Sequence, residues 1–341
     1  MRYIGGKSLI LENIDDVIHT HIGIPASVID IFTGSGAVAS FFKSKTYLTA
    51  CNDILYFSYI LTKCAVELSQ APNFSNLSVG EDCIAYLNNL QISNTSLNIN
   101  DCFIYNNYSP VGGRMYFTSE NALKIDIIRL TIENWHNEKM IDDNGYYYLL
   151  SSLLNAVPYV SNITGVYAAY LKFWDKRALN PLVLEKPLIT DNGKNNLCFN
   201  KDYTELLDNE YDLMYADPPY NNREYLPNYH ILETIARYDY PSIHGVTGMR
   251  NYGNSEKSVF CQKGKVNQAF ETLIRDSKSK YILISYNNEG LMSTSDLSYL
   301  CKEYCVNNEF KLYEYDYRRY KSKVPNNKSG LKEQLYFLRR R

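Results

Sequence analysis

No stretch of the 341 residues comes near the roughly 20 consecutive apolar residues that a membrane helix needs. The amino terminus carries charged and polar residues from Arg2 onward, without the apolar core of a secretion signal. Eight cysteines (Cys51, Cys64, Cys83, Cys102, Cys198, Cys261, Cys301 and Cys305) form no Cys-x-x-Cys pair, and the five histidines complete no zinc pattern. Neither a metal site nor a disulfide framework is expected, and reduced thiols in the cytoplasm are. Charge of one sign is lacking too. With 35 Lys and Arg against 37 Asp and Glu the formal net charge is −2, which argues against indiscriminate binding to nucleic acid. Internal repeats and low-complexity segments are absent.

What is present is the material of a large core. Hydrophobic residues make up 45% of the chain, enough for two domains or for one α/β domain with an insertion. The 32 tyrosines match a composition rich in Asn, Ile and Lys and need no functional reading one by one. Val28-Ile29-Asp30-Ile31-Phe32 is a short apolar run of the kind that forms a buried parallel strand. Thr33-Gly34-Ser35-Gly36 turns the chain, Ala37 to Phe42 reads as helix, Tyr47 to Asp53 as a second strand and Ile54 to Leu68 as a second helix. The expected fold is α/β: a doubly wound, mostly parallel sheet. From about residue 71 to 194 the alternation stops. Helix signals take over there, from Arg114 to Trp135 with Thr118 as cap and from Tyr146 to Asn155, and this block reads as an inserted, largely helical module. Alternation returns with strands at Leu197 to Phe199, Tyr211 to Ala216 and Lys280 to Tyr286, and helices at Tyr229 to Tyr238 and Asn267 to Ser277. Phe310 to Tyr320 and Leu331 to Leu338, joined by Pro325-Asn326-Asn327, read as an antiparallel hairpin at the sheet edge.

Two motifs carry chemistry. Gly34-Ser35-Gly36-x-x-Ala39 after a strand fits a turn over which an adenosine-containing cofactor lies, and Asp53 falls where an acid meets ribose hydroxyls. That turn suits a nicotinamide enzyme and an S-adenosylmethionine enzyme equally. The second motif, Asp217-Pro218-Pro219-Tyr220, stands behind the Tyr211 to Ala216 strand. Two prolines fix the backbone and remove two N–H donors, so a carboxylate, a rigid carbonyl and an aromatic ring converge at a strand's carboxyl end. Such a set accepts both hydrogens of a planar amine and stacks on its ring. The conjugated amine of a nucleobase, a poor nucleophile, is activated when those acceptors let its nitrogen pyramidalise. Extracting that base from the duplex costs a few kcal/mol.

These segments resemble the Dam-type adenine-specific DNA methyltransferases in the motif order called the alpha group. Arg2-Tyr3-Ile4-Gly5-Gly6-Lys7 is similar to that family's amino-terminal Gly-Gly-Lys segment, which lies against the cofactor. Asp30 to Gly36, with Phe32 and Gly34, is similar to its cofactor loop, Asp53 to its ribose-binding acid, and Asp217 to Tyr220 to its catalytic motif. Asp202 falls where the family usually has an acid near the cofactor's adenine. The resemblance covers residues 1–70 and 195–341, the catalytic part. It implies a seven-stranded sheet, S-adenosylmethionine as cofactor, double-stranded DNA as partner and a target-recognition region at 71–194, and it leaves open two arrangements, a cognate restriction endonuclease in the same system or a methyltransferase acting alone.

DNA contacts are expected from glycine-rich loops and basic clusters: Tyr108 and Arg114 in the Tyr108 to Arg114 loop, Thr164 to Tyr167, Arg223 behind the catalytic tyrosine, and Arg318, Arg319, Lys321 and Lys323 at the hairpin tip. From Tyr317 to Arg341 nine Lys and Arg stand against one acid, Glu333. Lys263, Lys265, Arg275, Lys278 and Lys280 make a second basic stretch. His230, on an apolar helix face, reads as a packed, satisfied histidine. Rival readings change the acceptor to a cytosine amine, an adenine in RNA or a glutamine amide. In the resembling families cytosine enzymes more often carry Ser, and glutamine enzymes Asn, where this chain has Asp217. A catalytically silent DNA-binding module needs neither that acid nor the glycine turn, and a nicotinamide oxidoreductase does not need the two prolines.

Overall fold

The computed structural model describes residues 3–77, 79, 82–253, 257–316 and 330–340. The chain begins with α1 (Leu11–His21), β1 (Ser27–Asp30), α2 (Ala37–Ser44), β2 (Leu48–Asn52) and α3 (Tyr56–Thr62). A helical block follows: α4 (Cys83–Asn89), α5 (Phe103–Tyr108), α6 (Ser119–Asn137) and α7 (Asp143–Ala156). The sheet resumes with β3 (Leu197–Phe199) and β4 (Leu213–Ala216), then α8 (Tyr225–Arg237) and the short pair β5 (Ile243–His244) and β6 (Met249–Arg250). The chain continues through α9 (Val266–Asp276), β7 (Tyr281–Asn287), α10 (Thr294–Tyr304), β8 (Phe310–Asp316) and β9 (Lys332–Arg339).

Seven strands form one sheet in the order β3-β2-β1-β4-β7-β9-β8. Every pairing from β3 through β7 is parallel, and β9 runs antiparallel to both β7 and β8. The later strand of the closing hairpin is thus the inner one. Burial explains it: β9 is buried at six successive positions, whereas β8 alternates half-buried and exposed residues as an edge strand does. Central strands β4 and β7 are buried at every position but Tyr281 because helices cover both faces. On one face α1 and α2 pack Ile14, Ile18 and Phe42 against Val28, Leu213 and Leu283; on the other, α9 and α10 pack Phe270, Leu273 and Leu297 against Met214 and Ile284.

The helical block shares one hydrophobic core with α3 and α8: Ile125, Ile128 and Leu150 cluster with Phe57, Ile60, Leu226 and Leu232. Two buried carboxylates fix this seam. Glu233 of α8 accepts the backbone N–H groups of Tyr56 and Phe57 at the start of α3, at 3.1 and 3.0 Å. Asp126 of α6 accepts those of Ile104 and Tyr105 at the start of α5, at 2.9 and 2.7 Å. Negative charge at a helix amino end satisfies donors that have no partner within the helix. Thr118 caps α6 as its sequence implies, its hydroxyl accepting the N–H of Asn121. The expectation of a largely helical insertion holds only to Tyr159. From Val160 to Asn196 the one regular element among the described residues is a 3₁₀ turn, Lys176–Leu179. There Asn162, fully buried, ties Met115, Leu171 and Phe173 together through its amide. Helix α8 starts at Tyr225, four residues before the expected Tyr229, where its backbone kinks.

Candidate active site

Strand order brings the two chemical motifs together. From β1 the chain winds outward through β2 to β3 and returns on the other side of β1 as β4, so the connections leaving β1 and β4 diverge. Open α/β sheets bind ligands at such a switch point, beyond the strands' carboxyl ends. The backbone N–H of Ile31 donates to the carbonyl of Tyr215 at 3.0 Å, so Phe32 and Asp217 leave the sheet side by side. A cavity of about 260 Å³ opens there, lined by Tyr3, Lys7, Asp30, Phe32, Gly34, Asp53, Asp202, Asp217 and Pro219 among others.

The glycine turn is held open by its neighbours. Gly34 has φ +55°, and a Cβ there would meet the Tyr3 ring at 2.8 Å, so only glycine leaves room for both ring and ligand. Gly36, at φ +82°, caps α2, whose first residues Ala37 and Val38 line the cavity. Asp53 fixes the turn from the next strand. Its carboxylate accepts the N–H of Gly34 at 2.7 Å and that of Leu55 at 2.8 Å. Burial pushes the Asp53 carboxyl up to about 6, against the pull of those two donors. Asp30 is buried with one oxygen, Oδ1, lacking any partner, and burial together with Asp217 and Asp53 holds its carboxyl well above the usual range. An unfilled buried acceptor at a cavity wall is a place for a ligand's donor. Phe32, Tyr203 and Phe260 form an aromatic recess, with ring centroids 5.2 to 5.5 Å apart.

The amino-terminal segment closes the other side. Tyr3 stacks on Tyr229 of α8 with centroids 4.8 Å apart and planes 8° from parallel, and the Tyr229 hydroxyl accepts the N–H of Ile4 at 2.7 Å. This docking delivers Lys7, expected against the cofactor, to the Asp217 carboxylate. Its ammonium lies 3.1 Å from Asp217 Oδ1 and 2.6 Å from Glu333 Oε1. Burial alone would lower the Lys7 ammonium, but Asp217 and Glu333 hold it above its ordinary value. Asp217 is pushed up to about 7 by burial, with Lys7 opposing and Glu333 adding to the rise. Pro218 is buried, Pro219 lines the cavity, and the Lys7 ammonium lies 5.8 Å from the Tyr220 ring centre. Asp202 is exposed at the rim, where it caps the turn Tyr203–Leu206.

Three expected DNA contacts require correction. Tyr108 is fully buried, its hydroxyl donating to the Gly248 carbonyl at 2.8 Å, because it closes the core beneath the β5–β6 loop. Arg114 spends its guanidinium on the carbonyls of Asn107, Gly112, Gly245 and Val246, binding two loops to each other. Tyr167 is buried as well, bonded to Ser161. His230 is packed as expected but satisfied on one nitrogen only: Nε2 meets the Tyr167 carbonyl at 2.9 Å, and Nδ1 has no partner. Arg223 is exposed beyond Tyr220. Arg318, Arg319, Lys321 and Lys323 lie outside the described residues. The second basic stretch divides. Lys265 lines the cavity, whereas Lys278 and Lys280 precede β7 at the opposite end of the sheet, with Lys278 paired to Asp208.

Sequence reasoning assigned no role to Glu333, Ser285, Tyr203, Tyr225 or the Lys257 to Gln262 edge of the cavity. For Glu333 a signal existed: an acid at the head of a strand, alone among nine basic residues. The others sit on elements whose approach to the cavity only the fold reveals.

With this geometry in view, comparison with known proteins decides the family. Residues 3–299 match the model of the D12 class N6 adenine-specific DNA methyltransferases. The chain belongs to that family. It is 44% identical, over its full length, to the type II methyltransferase M.FokI of Planomicrobium okeanokoites and 39% identical to the modification methylase StsI of Streptococcus sanguinis. It spans about half of each of these, 53% and 52%. The type II methyltransferase M.NlaIII of Neisseria lactamica is similar over nearly its whole length, 36% identical across 96% of this chain and 95% of its own. Among the described residues no helix of this D12-class chain is long and apolar enough to cross a membrane.

Proposed function

We propose that this chain transfers a methyl group from S-adenosylmethionine to the exocyclic N6 amine of an adenine rotated out of double-stranded DNA. One observation carries the proposal: the Asp217 carboxylate and the Gly34 turn leave adjacent strands and face a common cavity. The cavity residues fit the proposed cofactor. Asp30 and Asp53 offer acceptors for amino and hydroxyl groups, Gly34 admits a close approach, and Phe32 with Tyr203 and Phe260 forms a recess for a flat ring. Bound there, S-adenosylmethionine supplies an electrophilic methyl on a cationic sulfur.

The protein's part is to prepare the acceptor amine. Lys7 engages Oδ1 of Asp217, and no described residue hydrogen-bonds Oδ2, which is left to accept one amine hydrogen. The Pro218 carbonyl accepts the other and Tyr220 stacks on the base. Positive charge grows on the nitrogen during transfer, and a preorganised carboxylate in a site without bulk water stabilises it. Asp202 is assigned to the cofactor's adenine side. Residues 71–194 are assigned to target recognition, and Arg223 with the Arg318 to Lys323 segment to the phosphate backbone. The names of the relatives support a type II modification role beside a cognate endonuclease.

The test is direct. Plasmid from a methylation-free host is incubated with the purified chain and isotopically labelled S-adenosylmethionine, then digested to nucleosides and analysed by mass spectrometry. Label in N6-methyladenine is expected. Label only in N4-methylcytosine, or only when RNA is supplied, overturns the reading.

A further inference from the structure

Glu333 occupies a position that the sheet's packing does not call for. It lies on β9 between Lys332 and Gln334, opens the buried run that continues to Leu338, and is 2% exposed. An ionised carboxylate is costly to bury and persists only with partners. Two are present: the Lys7 ammonium at 2.6 Å and the Ser285 hydroxyl of β7 at 2.8 Å. The same ammonium reaches Asp217 at the longer distance of 3.1 Å. One cation therefore serves two carboxylates and sits nearer the one that does not line the cavity. Mere neutralisation of Asp217 would need Lys7 alone. We infer that Glu333 is a positioning residue, holding the Lys7 ammonium partly away from Asp217 so that the catalytic carboxylate is oriented by a cation without being neutralised by it. This rests on the assignment of Asp217 to methyl transfer.

The charge count supports the inference. Around Asp217 stand Lys7 from the amino-terminal segment, Glu333 from β9, Asp30 from β1, and the phenols of Tyr215 from β4 and Tyr225 from α8. Asp53 lies one strand further, beside Asp30. With one ammonium among these acids the immediate surroundings of Asp217 keep net negative charge wherever the acids are ionised. Such surroundings favour a reaction in which the acceptor nitrogen becomes positive. Were Glu333 neutral, the whole field of Lys7 would fall on Asp217. The carboxylate would then ionise more easily yet stabilise the developing cation less. Ser285 completes the device by carrying part of the Glu333 charge, so that Lys7 is not drawn wholly to that side.

The experiment measures the single-turnover methyl-transfer rate against pH with plasmid from a methylation-free host. Wild type should show an acid limb as Asp217 ionises. In Glu333→Gln the limb should move down by about one pH unit while the high-pH plateau falls about tenfold. In Lys7→Met the limb should move up instead. Ser285→Ala, the mildest change, should move it up by less than a unit and keeps the test open if either charge variant fails to fold. Binding stoichiometry for S-adenosylmethionine gives the active fraction of each preparation. A purely structural role for the array lowers that fraction and the melting temperature and leaves the limb in place. Coincident limbs in all folded variants overturn the inference. If wild type makes no N6-methyladenine, it is the assignment of the reaction that has failed, and the two failures are told apart in one assay.

Discussion

Two carboxylates in this molecule are raised to the same degree for the same reason and do opposite things. Asp126, in the helical block, and Asp217, at the sheet's carboxyl end, are both pushed up to about 7, with burial the largest cause in each. Asp126 gives one oxygen to the N–H of Ile104 and the hydroxyl of Tyr238, and the other to the N–H of Tyr105. It is a helix cap whose acceptors are in use. Asp217 lines a cavity shared with a glycine turn, gives Oδ1 to Lys7, and receives no hydrogen bond at Oδ2 from any described residue. A perturbed titration thus marks desolvation wherever it occurs. What separates a site from a seam is unfilled hydrogen-bonding capacity facing a space that a ligand can enter.

Replacing each of the two acids tests that distinction, with the largest expected effect at Asp217. Asp217→Asn keeps the shape, removes the charge that meets the growing cation, and is expected to lower single-turnover methyl transfer about 10³-fold, or about 4 kcal/mol. Its melting temperature should not fall, because a buried ionisable group has been replaced by a neutral one. Asp126→Ala should reverse the pattern. Loss of a cap and of three hydrogen bonds at the seam costs about 3 kcal/mol in urea unfolding, while transfer per folded molecule stays near that of wild type. Equal loss of activity in the two variants would erase the comparison.

The pH dependence of stability sharpens it next. Folded Asp126 holds its proton up to about pH 7, whereas an unfolded aspartate releases it near the ordinary value of 3.8. The folded chain therefore binds more protons than the unfolded chain between those limits, and stability falls as pH rises through that window. The contribution is complete below the unfolded value and gone above the folded one. From pH 5 to pH 8 it amounts to about 2 kcal/mol, to which Asp217, Asp30 and Asp53 add in the same direction. Asp126→Asn should flatten the curve over this range whatever its absolute level. An unchanged slope in urea titrations would mean that Asp126 is ionised in the fold at pH 5.

The contrast also explains what the sequence made legible. Runs such as Val28 to Phe32 and Leu213 to Ala216 report burial between helices, and the Gly34 turn and the Asp217 motif report their chemistry because backbone constraint is written in glycine and proline. Sheet and cavity floor were therefore readable. Glu333 was not placed, because a strand's neighbours across the sheet are set by topology, and its partner Lys7 lies 326 residues away. Tyr108 and Arg114 misled for a related reason. An Arg and a Tyr beside glycines suit a DNA-facing loop, but the same residues can hold one loop to another, and only the carbonyls of Gly245, Val246 and Gly248 show which role applies. The Val160 to Asn196 segment is held by buried or half-buried polar side chains, Asn162 for its first part and Asn121, Asn88 and Ser152 further on, rather than by periodicity, so no repeat in the sequence announces it.

The smallest expected effect separates Arg114 from Arg223. Both are arginines beside a glycine-rich or asparagine-rich turn, yet one guanidinium is filled by backbone carbonyls and the other residue stands exposed just beyond Tyr220. A phosphate contact releases about one counterion, so its loss lowers the slope of log affinity against log salt by about one for duplex DNA. Arg223→Ala should weaken DNA binding several-fold at moderate salt and reduce that slope, with little change in melting temperature. Arg114→Ala should leave the slope alone and cost about 1 kcal/mol of stability as the β5–β6 loop comes loose. Fluorescence anisotropy across a salt series reads the first effect and thermal unfolding the second. Should Arg114 carry the slope instead, its carbonyl partners must release it when DNA binds, and the β5–β6 loop would belong to the DNA interface after all.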